Sequence, residues 1–236
     1  MRRAIAGAVA GLVLGAFSLV SAVELSAGFD GGFTSDFGAG LFGVSGKEDG
    51  IDFAIKTPWN GSWFNVFLDA TYAELGIGLI FGSGEEQMFL DGKKEEDYWI
   101  SSTISFAALN LSLVGKYPII LDNSVTVSPL AGIEYMMVLS ATAKVGNYEA
   151  KFDGKDGAPK AGDLSRFGLK IGANTDIAIN ENVFLRSVLA YNIRFANKFS
   201  KDAIDDMYWL DYDDDSSAKA TMGHGLTVSV GLGFRF

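Results

Sequence analysis

From Val23 onward the chain alternates. Val23, Leu25, Ala27, Phe29, Gly31 and Phe33 share one parity, and Glu24, Ser26, Gly28, Asp30 and Gly32 share the other. A period of two places these sets on opposite faces of a pleated strand. The same rhythm predicts eight strands: Val23 to Phe33, Trp63 to Leu68, Tyr72 to Phe81, Ile100 to Tyr117, Val125 to Ser140, Ser165 to Ile177, Val183 to Phe195 and Gly225 to Phe236. Most have about the 9 to 11 residues that a tilted strand needs to cross a bilayer. The connections near Asp69 to Thr71, Pro118 to Ser124 and Ala178 to Asn182 are short, and the other four are long. Alternating short and long connections put the two kinds at opposite ends. The prediction is an all-β fold, an eight-stranded antiparallel transmembrane β-barrel with short periplasmic turns and four long extracellular loops.

Ahead of the first strand, Arg2 and Arg3 precede an apolar stretch from Ala4 to Val20, and Val20, Ser21 and Ala22 supply the small residues of a cleavage site. Residues 1–22 therefore read as a secretory signal peptide and 23–236 as the mature barrel. Tyr98 to Gly115 is also free of charge, but Ser101, Ser102, Thr103, Ser105, Asn110 and Ser112 suit a strand better than a lipid-facing helix.

Composition narrows the chemistry. The chain has no cysteine and one histidine, His224, which removes thiolate metal sites and cysteine nucleophiles. A formal net charge of -10 disfavours nucleic acid as a partner. No cofactor is expected.

Alternation alone does not choose the outer face, because a soluble lipocalin-like barrel turns its apolar set inward. The ending chooses. Leu226, Val228, Val230, Leu232, Phe234 and Phe236 alternate up to a terminal aromatic residue. This ending resembles the signal by which outer-membrane proteins are delivered to the barrel-assembly machinery, with Val230, Leu232, Phe234 and Phe236 as the matching positions. The mature chain is similar to the small eight-stranded outer-membrane barrels of the OmpX, OmpW and OmpA-transmembrane type. Lys116-Tyr117-Pro118 and the segment from Pro129 to Tyr135 share that likeness.

With the apolar face toward lipid, parity sends Glu24, Asp30, Asp69, Glu74, Glu134 and Asp176 inward together with Lys116, Arg166, Lys170, Arg186, Arg194 and Arg235. Six acids then meet six bases, and the excess negative charge falls outside the barrel. Enclosed charges cost several kcal/mol unless paired, so a packed salt-bridge network is expected. A selective pore lining is the other reading, since inward Gly28, Gly76, Gly168, Gly172, Gly231 and Gly233 could leave water-filled gaps.

Three positions disturb the pattern. Pro129 cannot donate to a ladder, which predicts a bulge or a later start to pairing. The apolar phase switches between Ile104-Phe106 and Leu109-Leu111-Leu113, which predicts an inserted residue near Ala107. Trp63 would point inward with Phe67, a bulky pair for a lumen.

The remaining motifs are weak. Gly38 to Gly43 fits G-x-G-x-x-G, but glycine-rich sequence follows where a helix should open. Asp211, Asp213 and Asp215 begin like a calcium loop, yet Ser216 and Met222 stand where glycine and glutamate belong. His224 has no evident catalytic partner in Thr221, Met222 or Gly223. Phe33, Phe81 and Phe195 at the loop side, and Tyr72, Tyr117 and Phe236 at the turn side, would form two interfacial belts.

The expectation is a monomeric, non-enzymatic protein of the outer membrane with a closed, charge-paired lumen. Its partners would be outer-membrane lipid, the barrel-assembly machinery and an extracellular ligand or host partner at acidic loops. A narrow channel for small solutes, porin-like or OmpW-like, is the alternative, and a soluble ligand-binding barrel a lesser one.

Overall fold

Inward and outward side chains alternate along eight strands in the computed structural model, which describes residues 24–48, 51–94, 102–155, 160–198 and 217–236. The strands are β1 Leu25–Asp36, β2 Trp59–Ala70, β3 Ala73–Glu85, β4 Ser102–Lys116, β5 Val125–Val145, β6 Arg166–Ala178, β7 Val183–Arg194 and β8 Gly223–Arg235. Each pairs antiparallel with its neighbours, and β8 closes on β1 from Ser26 opposite Arg235 to Asp36 opposite Gly225. The expected signal peptide, residues 1–22, and Asp211, Asp213 and Asp215 lie outside the described residues.

The stagger of this barrel can be read from its registers. Ser26 faces Asp69, and the row continues through Glu74, Val114, Gly132, Lys170, Asn192 and Gly225 to Asp36, ten residues further along β1. Stagger and strand number together fix tilt and width, and eight strands leave room for side chains to fill the interior. The apolar parity covers the outside: Phe29, Phe64, Val66, Leu75, Ile77, Leu113, Ile171, Leu189, Val228 and Val230 are all exposed. A continuous apolar girdle of this kind far exceeds the patches that soluble monomers present to water. The six expected belt aromatics are exposed too, Phe33, Phe81 and Phe195 toward the long loops and Tyr72, Tyr117 and Phe236 toward the short turns.

The irregular positions divide into expectations that hold and ones that need correction. β4 contains no inserted residue at Ala107: Ile104, Phe106, Ala108, Asn110, Ser112 and Val114 all point inward without a break. The apolar phase switches because the lumen itself turns apolar toward the loop end. A bulge does exist at that level, but on β5, where Val138 faces Ala108 and Ser140 faces Ala107, leaving Leu139 extra. Pro129 is not bulged. It pairs with Ala173 on β6, and on its other side β4 pairing begins only at Leu130, with the Tyr117 N–H reaching the Pro129 carbonyl at 3.1 Å. Trp63 and Phe67 both point inward and are buried. Nor do the inward glycines stand open. A Cβ on Gly28 would meet the Phe67 ring at 2.5 Å and one on Gly233 the Phe184 ring at 2.0 Å, so glycine on one strand admits an aromatic ring from the next.

The long connections hold more order than their glycine-rich sequence suggests. Segments Ser217–Ala220, Gly43–Glu48, Ile51–Lys56, Gln87–Leu90 and Lys93–Lys94 form a second, five-stranded sheet beyond the barrel rim. At the opposite end, two of the tight turns are closed by the same device. Asp122 Oδ1 accepts from the backbone N–H groups of Ser124 at 2.7 Å and Val125 at 2.9 Å, and Asn180 Oδ1 accepts from those of Asn182 and Val183 at 2.9 Å each.

These turns differ in charge, which gives a pH test. Hydrogen bonds from Ser124 and Val125 hold the Asp122 carboxyl below its ordinary titration range. The turn's order is therefore fully present above the ordinary aspartate value and is lost as pH falls through the lowered one. Acid titration followed by backbone NMR should move the Ser124 and Val125 amides below the usual carboxylate range and leave Asn182 and Val183 in place. Asp122→Asn should abolish the response.

Candidate functional site in the barrel lumen

At the turn end the lumen is floored by one guanidinium. Asp69 and Glu74 face each other across the β2–β3 turn, so register alone brings two carboxylates together. Arg186 lies between them and its own cross-strand partner Asp176. Its Nε and Nη2 donate to the two Asp176 oxygens at 2.7 Å each, Nη1 donates to Glu74 at 2.6 Å, and Nη2 also reaches Asp69 at 2.7 Å. Lys116 pairs with Asp69 as well. Two aromatic rings pack beside the guanidinium, Phe67 at 4.1 Å from its carbon to the ring centre and Phe184 at 5.2 Å. Arginine suits this position because its donors lie in a plane whose faces can stack on aromatic rings.

Above this floor the lumen is polar without being uniformly charged. Asp30 accepts from the Trp63 indole and the Asn65 amide, both at 2.9 Å, while the Lys170 ammonium stands 4.9 Å above the Trp63 ring. The Thr34 and Thr227 hydroxyls share a bond at 3.0 Å, and Asn192 donates to Thr227 at 2.8 Å. The side-chain amides of Asn110 and Asn174 have no protein partner among the described residues. Buried amides of that kind are ordinarily satisfied by water.

The loop end is closed differently. Arg194 Nη1 donates to Asp36 at 3.1 Å, its Nε stands 3.0 Å from Glu134, and its guanidinium lies over the Trp59 ring at 5.3 Å. Over this group the loops lay an apolar lid. Leu41 and Phe42 from the first long loop and Ala161 and Leu164 from the third pack on Trp59, Trp63, Ile80, Ile104, Phe106, Met136 and Val138. The Leu41 carbonyl accepts from Arg166 Nε at 3.2 Å and from the Asn197 amide at 2.8 Å, and Asn197 also donates to the Leu164 carbonyl at 3.1 Å. Asp36 Oδ1 accepts from the N–H groups of Gly38 and Gly40 at 3.2 and 3.0 Å. The G-x-G-x-x-G match is thus the strap of this lid. Gly40 has φ +68° and lies so close to Thr57 that a Cβ would fall 1.6 Å from its carbonyl oxygen, and a strand, Gly43–Glu48, follows instead of a helix.

Of the twelve charges assigned inward by parity, Asp30, Asp69, Glu74, Glu134, Asp176, Arg166, Lys170, Arg186 and Arg194 are buried, and the Lys116 side chain is 5% exposed. Glu24 is a correction. It is exposed at the turn end, its N–H bonded to Thr71 Oγ1 at 3.0 Å, because β1 begins after it. Arg235 is half-buried at that mouth, over the Phe184 ring at 5.2 Å. Asp36 escapes a reading that ends the first strand at Phe33. The run Asp30, Gly32, Thr34, Asp36 carries the inward parity past that point and contained the signal. His224 points outward, its Nδ1 3.0 Å from the Tyr191 hydroxyl and its ring stacked on Tyr191.

An apolar wall, a charge-paired interior and loops folded over the mouth define a small transmembrane-type β-barrel. No family model and no curated protein matches the chain in sequence. Among solved structures it is similar to the Neisserial surface protein A (9% identity, TM-score 0.44, 90% of this chain and 97% of that one). It is also similar to a major outer membrane protein from Thermus thermophilus (12%, 0.43, 89% and 99%) and to OprG from Pseudomonas aeruginosa (15%, 0.38, 91% and 96%). At these identities and superpositions nothing of those proteins' chemistry transfers to this chain.

The floor makes a quantitative prediction. Arg186→Met would leave Asp69, Glu74 and Asp176 buried with too few cations, at a cost of about 3 to 5 kcal/mol. Urea unfolding of the detergent-folded barrel, followed by heat-modifiable gel mobility, should show that loss. Arg186→Lys should recover part of it, since the charge returns without the fork or the stacking face. A change under about 1 kcal/mol for the methionine variant would mean that the floor is not a cooperative ion cluster.

Proposed function

We propose that this chain is an integral outer-membrane protein, exported by residues 1–22, whose barrel is a monomeric, non-enzymatic and closed scaffold for its surface loops. The observation that carries the reading is that the lumen has two closures of different chemistry in series, the Arg186 ion cluster and the Leu41-Phe42-Leu164 lid. Closure of the barrel sheet on itself removes the barrel's own edges, through which a second copy could otherwise pair. The five-stranded loop sheet and the hairpin of β5 with Tyr148–Lys151 are then the parts offered to an extracellular partner. Phe236 supports the assembly-signal reading by its position: it is 83% exposed, tied to the barrel by its N–H on the Leu25 carbonyl at 3.0 Å, and so free to be recognised. A gated narrow passage is the second reading, favoured by the polar middle level around Asn110 and Asn174.

Planar-bilayer recording separates the two. The wild-type barrel should be silent. Leu41→Ser with Phe42→Ser should also be silent, because the ion cluster still closes the turn end, and conductance should appear only when Arg186→Ala is added. Steady conductance from the wild-type barrel would contradict the closed lumen and establish the channel.

A further inference from the structure

On the outer wall near the long-loop end a cleft of about 400 Å³ opens between the tips of β1, β2 and β3 and the loop segment at Gln87. Ser35, Asn60 and Ser83 are cross-strand neighbours in a single row along it. Glu85, Gln87 and Thr103 complete its polar lining. The row just below, toward the short turns, is Phe33, Ser62 and Phe81, and these line a second hollow that shares Asn60 and Ser83 with the first. A polar cleft therefore continues into an apolar groove where the aromatic belt begins.

The lining chemistry restricts what fits. The cleft holds two carboxylates, Asp36 and Glu85, and no lysine or arginine among the described residues that line it. Asp36 is already committed to the strap and to Arg194, which leaves Glu85, exposed, as the free carboxylate. Phosphate or sulfate would be repelled. Hydroxyl-rich neutral groups suit the site, because the planar amide and carboxylate side chains of Asn60, Gln87 and Glu85 bond adjacent hydroxyls, and Phe33 and Phe81 of the neighbouring hollow offer apolar surface beside them. The volume lies within the range of small-molecule sites.

We propose that this cleft binds the neutral sugar of a membrane glycolipid, whose hydrocarbon lies between Phe33 and Phe81. The proposal rests on the membrane placement argued above. It is tested with full-length mature barrel in phospholipid nanodiscs, using a dialkyl maltoside, free maltose and a dialkyl phosphate of equal chain length as probes, and native mass spectrometry to read occupancy. The maltoside should be retained in preference to the phosphate. Asn60→Ala with Gln87→Ala should lower maltoside occupancy about tenfold with heat-modifiable mobility unchanged, as expected for losing hydrogen bonds from two side chains. Phe33→Ala with Phe81→Ala should weaken the maltoside and leave maltose unaffected. Equal occupancy in Asn60→Ala/Gln87→Ala and wild type, or equal retention of the phosphate, would overturn the site. Maltose binding as tightly as the maltoside would overturn the glycolipid source in favour of a free saccharide. A barrel that does not enter nanodiscs fails the membrane reading instead, and maltose binding in detergent then tests the cleft separately.

Discussion

Closing eight strands on themselves creates an interior that water reaches poorly, and a charge placed there is costly unless a partner offsets it. This constraint explains more of the chain than any single contact. Short turns force Asp69 against Glu74, register adds Asp176, and the resulting excess of negative charge is met by one planar cation, Arg186, with Lys116 beside it. At the other end Asp36 and Glu134 meet Arg194 by the same logic. Removing one partner from such a group costs more than the group contributes as a whole, because the survivor remains buried. The barrel's tolerance for change is therefore low inside and high on its lipid-facing wall.

The aromatic residues inside follow from the same shortage of space. Phe67 and Phe184 fit only because Gly28 and Gly233 stand across from them. Both rings then pack beside Arg186, so that a cation with four hydrogen bonds to carboxylates along its edge is also flanked by aromatic surface. Glycine, aromatic ring and guanidinium form one packing unit, and the inward glycines are the condition for a filled lumen.

Much of this arrangement is legible in the sequence. Period-two alternation shows the strands and the inward parity of Asp30, Asp69, Glu74, Glu134, Asp176, Lys116, Arg186 and Arg194. It fails at strand ends, where parity has no anchor: Glu24 falls outside the barrel, and Asp36, beyond the expected end of the first strand at Phe33, falls inside. It also misreads β4, where a lumen that changes from polar Asn110 and Ser112 to apolar Ile104 and Phe106 mimics an inserted residue. The lid was not legible, because Leu41 and Phe42 sit among glycines and their burial depends on Thr57, Arg166 and Asn197, which are distant in sequence.

Which parity faces lipid decides everything else in this account. The chain contains no cysteine, so single cysteines introduced along β8 can each carry one nitroxide label. Electron paramagnetic resonance in liposomes should show labels at Leu226, Val228, Val230 and Leu232 accessible to oxygen dissolved in the bilayer. Labels at Thr227 and Ser229 should be shielded from oxygen and from a water-soluble nickel relaxant alike. Accessibility of Val230 to the nickel reagent, with no alternation in oxygen collision along the strand, would contradict a membrane-embedded barrel with a filled lumen.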